Sequence, residues 1–264
     1  MSMQASSVHA RPNGVSASVS PVAGTPWLRK KEQFLRQCHD YNGDPSKVGF
    51  VYAKLKSTVM NYQLRPGERL HAHEFAERLK VSATPVREVL IKLHIEQFIA
   101  LVPNRGFYSK ALDVKEQISL HELAALIMGH AVRQNIVGFE APDLDSASEA
   151  IATEGEAAND PTLVAALKSE RVYQQVAALS GNREMIKFMQ SFCDRTHCVR
   201  RLELEGLENM RTVDADLAAM TSALSRRNAK SATAIISRVL EGKRSQLAAL
   251  VKEGNSRALA AEYP

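Results

Sequence analysis

The sequence predicts a mainly α protein in two parts: a small head of three helices and a β-hairpin, followed by an all-α antiparallel bundle. Three observations carry this. Apolar residues recur at helical spacing from residue 48 to residue 93, and two short β-rich runs close that stretch. No proline occurs between Thr162 and Tyr263, and the pattern there is helical throughout. Charge divides with the same boundary. Residues 46–110 carry 11 Lys/Arg against 5 Asp/Glu, a net +6, whereas residues 111–264 carry 18 against 21. A compact basic module beside a mildly acidic body points to a polyanion partner for the head.

The chain of 264 residues is long enough for one large domain or two small ones, each with a core. Its hydrophobic content of 45% and charged content of 24% are those of a globular protein. Three cysteines, Cys38, Cys193 and Cys198, are too few for a disulfide framework, so a reducing, cytoplasmic setting is expected. No apolar run reaches the roughly 20 residues that span a bilayer, so no membrane partner is expected. The first residues also lack the basic and apolar pattern of a secretory signal.

Residues 1–26 are rich in Ser, Ala, Pro and Gly and lack any apolar period, which predicts a disordered tail. Leu28, Phe34 and Leu35 mark a short amphipathic helix over 27–39, and Asn42-Gly43-Asp44-Pro45 ends this first region, 1–45. In the head, 46–110, Val48, Val51, Leu55 and Val59 predict a helix that stops before the turn Arg65-Pro66-Gly67. A short helix over 73–79 follows, then the turn Val81-Ser82-Ala83. The next helix is expected to begin near Thr84 as its cap, with Pro85 in the first turn. Its apolar face is Val86, Val89, Leu90 and Leu93. Residues 98–102 read as a strand, Pro103-Asn104-Arg105-Gly106 as a turn, and 107–109 as the returning strand. Beyond it, helices are expected over 113–139, 144–156, 162–179, 182–205, 212–225 and 229–252. Together they form a bundle over 111–255 with a tail at 256–264.

Helix, short helix, tight turn, helix and hairpin is the order of a winged helix-turn-helix. In that fold the last helix presents its N-terminal residues to base edges in the major groove. Thr84 and Arg87 fall on the side opposite the apolar face, and an Arg can bond guanine O6 and N7 bidentately. At the hairpin tip, Arg105 offers charge and Gly106 permits close approach.

At these residues the sequence resembles a known family. Val81-Ser82-Ala83-Thr84-Pro85-Val86-Arg87-Glu88-Val89-Leu90, with Leu64-Arg65-Pro66-Gly67-Glu68-Arg69-Leu70 before it and Pro103-Asn104-Arg105-Gly106-Phe107 after, is similar to the DNA-binding domain of GntR-family bacterial regulators. The resemblance implies DNA contacts by Ser82, Thr84, Arg87, Arg105 and Gly106. It also implies departures, since Ala83 and His73 stand where relatives often have Arg. A helical second domain implies the FadR-like subgroup with its FCD effector domain, a homodimer on an inverted-repeat operator, and a metabolite-responsive repressor.

Many such effector domains hold a metal through one Asp and three His. Aligned on the turn Leu179-Ser180-Gly181-Asn182, those positions here read Ser169, Tyr173, Leu217 and Val239, so no metal and no other cofactor is expected. A pocket lined by His121, Tyr173 and apolar groups then suits a small organic effector. Cys193, His197 and Cys198 share one helix but are read as packing, because Cys is commonly a small buried hydrophobe. No Gly-rich phosphate loop, nucleophile elbow or His-Glu-x-x-His pattern marks an enzyme. The competing reading is a protein-docking module whose DNA surface is vestigial.

Overall fold

The computed structural model describes residues 47–143 and 160–260. The expected tail, the helix over 27–39 and the helix over 144–156 therefore lie outside the described residues, apart from 256–260.

The head is built from α1 (Lys47–Met60), β1 (Arg69–Leu70), α2 (Ala72–Leu79), α3 (Ala83–Ile95), β2 (Ile99–Val102) and β3 (Gly106–Ser109). Val51 and Leu55 of α1, Phe75 of α2, and Val86, Val89, Leu90 and Leu93 of α3 converge in one core with Leu64, Leu70 and Ile99. The strands pair antiparallel in the order β1-β3-β2, with Val102 opposite Gly106 and Leu70 opposite Phe107. Strand β1 is absent from the sequence reading. Two residues are too few to show a period-2 pattern.

The start of α3 also differs from expectation. Its N-cap is Ser82, in extended conformation, and Thr84 lies within the first turn instead of capping it. Tyr52 Oη donates to the Glu96 carboxylate at 2.6 and 2.8 Å, tying the end of α3 to α1.

The body comprises α4 (Val114–Asn135) with a 3-10 turn at Ile136–Gly138, then α5 (Pro161–Ala178), α6 (Arg183–Glu203), α7 (Leu207–Ser225), α8 (Ala229–Gly242) and α9 (Arg244–Ala260). Helix α4 packs on α5 and α8, and α6 packs on α5 and α9. The shared core includes Ala124, Met128 and Val132 of α4, Val172 and Tyr173 of α5, Phe192 of α6, Met220 of α7 and Ile236 of α8. Helix starts follow capping chemistry. Asp113, Asp160, Asn182 and Asn228 each accept backbone N–H bonds at the first turns of α4, α5, α6 and α8.

Two boundaries depart from the sequence reading. Helix α7 begins at Leu207, five residues before the expected start, because Gly206 (φ +91) is the break. The single helix expected over 229–252 is two, parted at Lys243, and the second runs to Ala260, taking in residues 256–260. Its buried residues Ala232, Ile236, Leu240, Leu247, Val251 and Ala258 keep helical phase across the break, so periodicity does not reveal it.

The head rests on the body through polar contacts. Tyr62 Oη donates to Asn255 Oδ1 (2.6 Å), Asn255 Nδ2 donates to the Leu112 carbonyl (3.0 Å), and the Leu112 N–H donates back to Oδ1 (3.0 Å). Burial pushes the Tyr62 hydroxyl up to about 12. Lys56 pairs with Asp194 of α6 at 2.7 Å, and Arg201 of α6 donates to Asn61 Oδ1 at 2.7 Å. Gly254 lets α9 approach: a Cβ there would lie 2.7 Å from Leu112 Cδ1.

Candidate nucleic-acid interface and bundle cavity

Helix α3 is held from behind by its four buried aliphatic residues, so its opposite side faces out. On that side Ser82, Thr84 and Arg87 are all exposed. Among the described residues Arg87 forms no ion pair, which leaves its planar donor fork available for a base edge. The Ser82 side chain makes no capping bond.

The hairpin tip is shaped by two residues in the left-handed region, Asn104 (φ +61) and Gly106 (φ +97), and Arg105 between them is exposed. Gly106 meets a need that most residues satisfy only with strain. Sequence reading missed one cation here. Arg69, exposed in β1, sits with its guanidinium against the tip, where a Cβ on Gly106 would lie 3.8 Å from Arg69 Nε. Its signal depends on the β1–β3 pairing, which places Arg69 opposite Tyr108.

In the body, Ser169, Tyr173, Leu217 and Val239 all line one cavity of about 200 Å³ between α5, α7 and α8. The alignment on the Leu179-Ser180-Gly181-Asn182 turn thus brings together four residues from three helices. They do not fit a metal: two are aliphatic and two carry neutral hydroxyls. The acids on the wall are already matched, Glu203 by Lys243 and Asp216 by Arg238 (2.7 Å). Among the described residues no group of three His, Cys, Asp or Glu is placed to hold a metal ion.

His121 does not line this cavity. It is buried on α4, its Nδ1 2.8 Å from the Gln117 carbonyl and its ring edge-on to Phe192 at 5.1 Å. Burial holds its imidazole down to about 4. Phe192 stands between it and Tyr173, its ring 6.2 Å from that of Tyr173.

Beside the cavity wall lies a buried cluster that sequence reading missed. Arg200 Nη1 donates to Glu170 Oε1 (2.5 Å), Arg200 Nη2 donates to Thr196 Oγ1 (2.6 Å), and His197 Nδ1 is 2.8 Å from the same Glu170 oxygen. His197 therefore belongs to a buried polar cluster centred on Glu170. Cys193 is fully buried, its thiol pushed well up by burial, as packing requires.

A basic winged helix-turn-helix whose third helix has a face exposed among the described residues is the fold of a DNA-binding transcriptional regulator. Residues 47–108 match the family model of bacterial regulatory proteins, gntR family. Residues 47–108 therefore form a GntR-family DNA-binding domain, the domain of a transcriptional regulator. It is 28% identical over 148 residues to the Nta operon transcriptional regulator of Aminobacter aminovorans, a match covering 56% of this chain and 70% of that protein. The fold is shared with a candidate GntR transcriptional regulator of Rhodococcus sp. RHA1 (TM-score 0.63, 18% identity, 77% of this chain and 98% of that one). It is shared also with McbR/YncC of E. coli (TM-score 0.55, 18% identity, the same coverage).

Proposed function

We propose that this chain is a cytoplasmic, metabolite-responsive repressor that binds an inverted-repeat operator as a homodimer, with its bundle acting as an FCD effector domain of the FadR-like kind. The observation that carries the reading is the pairing of two surfaces on one basic head: Ser82, Thr84 and Arg87 on α3, and Arg105, Gly106 and Arg69 at the wing. Base edges are read by the first set and backbone is gripped by the second. One head of this size reads only a few base pairs, so two are needed for useful specificity. A stripe on α4, with Leu123 and Leu126 exposed, and Val137 just beyond it, supports a second copy as the partner.

The cavity supports the effector role. It is small, half apolar, and free of metal-ligating histidines, which suits an organic molecule contacting the Tyr173 and Ser169 hydroxyls. Ligand binding then shifts the population of dimer geometries and with it the spacing of the two heads. The test is footprinting of the DNA upstream of its own gene, combined with sedimentation. A two-fold-symmetric footprint from a dimer is expected. A monomer at micromolar concentration, or protection without symmetry, would sink the proposal. Equal affinity for unrelated DNA would favour the protein-docking alternative.

A further inference from the structure

We propose that Ile91 is a specificity determinant that reads the 5-methyl group of a thymine in the major groove. This rests on the DNA-reading role of α3 argued above. The outward face of α3 is not polar along its length. Thr84, Arg87, Glu88, Ile91 and Ile95 are all exposed, and Ile91 and Ile95 are 51% and 73% exposed. At about 100° per residue, Thr84, Glu88, Ile91 and Ile95 form one narrow stripe with Arg87 on its flank. Neither isoleucine belongs to the core of the head, which is sealed by Val86, Val89, Leu90 and Leu93 on the other side.

The offsets of Thr84, Arg87, Glu88 and Ile91 are 0, +3, +4 and +7. That is how a helix lying in the major groove presents two turns of side chains to successive base edges. The groove, about 12 Å wide, admits such a helix. Each side chain then selects by its chemistry. Arg87 can donate two bonds to guanine, and Glu88 can accept from cytosine. Ile91 neither donates nor accepts, and the apolar group on a base edge in that groove is the thymine methyl. Charge supports duplex DNA as the occupant, because the stripe stands on a module with 11 Lys/Arg against 5 Asp/Glu.

The test uses the full chain and the tightest duplex selected from a random library. Each thymine is replaced singly by deoxyuridine, which deletes the methyl and nothing else. With wild-type protein, one thymine per half-site should lose about fourfold in affinity on this change, the worth of one buried methyl. With Ile91→Ala the same swap should change affinity less than twofold, while swaps elsewhere keep their wild-type effects. Circular dichroism confirms that the variant is folded. A sensitive thymine with the same penalty in both proteins would overturn the assignment, as would binding insensitive to every methyl, which a protein-docking stripe would give. Failure to enrich any sequence would instead overturn the DNA-reading role itself.

Discussion

Replacing Arg200 by Met should cost about 3–5 kcal/mol of stability, the usual penalty for removing one partner of a buried ion pair. The side chains of Glu170 and Arg200 are 1% and 4% exposed, and that of His197 is 4%. The guanidinium bonds Glu170, Thr196 and the Cys193 carbonyl, and it stacks 5.6–5.7 Å from the Phe192 and Tyr173 rings. Methionine keeps much of the stem's packing but supplies no donor, so the buried Glu170 keeps His197 at 2.8 Å and loses its guanidinium partner. The penalty comes from a buried carboxylate that has lost its strongest partner, more than from the value of the pair in wild type. Changing both residues, Glu170→Leu with Arg200→Met, removes both buried charges at the cost of the His197 contact, and should recover much of the loss. Urea unfolding at pH 7, followed by far-UV circular dichroism, measures all three proteins. A single variant costing under about 1 kcal/mol, or a double variant as unstable as the single one, would refute the reasoning.

Further outcomes are expected. His121 resists protonation in the fold until about pH 4, whereas the unfolded chain takes the proton near 6.5. Its contribution is therefore complete above pH 6.5 and is lost as pH falls towards 4, by up to about 3 kcal/mol, and His121→Asn should flatten melting temperature over that window. Arg87→Ala should cost roughly 1–3 kcal/mol on the cognate duplex and relax preference at one base pair; equal loss on random DNA would assign Arg87 to phosphate. Arg105→Ala should weaken cognate and random DNA alike and make the log–log salt slope shallower by about 0.9, which titrations at several salt concentrations measure. EDTA should leave melting temperature and operator affinity unchanged; a stoichiometric metal lost with stability would contradict the reading of the cavity.

The head was legible because its signals are local. Proline in a first turn, four aliphatic residues at helical spacing and a Gly-ended turn each need only a few neighbouring residues. Ser82 is the N-cap by backbone position alone, since its side chain makes no capping bond; Ser and Thr two positions apart leave such a boundary open to propensity. Arg69 was hidden because its place at the wing depends on a two-residue strand pairing with residues nearly forty positions away. The cavity was legible only through register: Ser169, Tyr173, Leu217 and Val239 carry no common chemistry that would single them out. The Glu170–Arg200 cluster was not legible at all. Charged residues inside helices are usually solvated, and only the packing of α5 on α6 turns these two inward.

The break at Lys243 has a mechanical consequence. Lys243 and Gln246 stand on the cavity wall, and Asn255, which grips Tyr62 and Leu112, stands further along α9, the helix that carries Gln246. At about 1.5 Å per residue, roughly 18 Å of stiff helix separates Lys243 from Asn255. A tilt of about 10° at the break would therefore swing Asn255 by about 3 Å, the full length of a hydrogen bond. A shift of Lys243 against Glu203 would therefore reach the Tyr62–Asn255 hydrogen bond enlarged by the length of this helix.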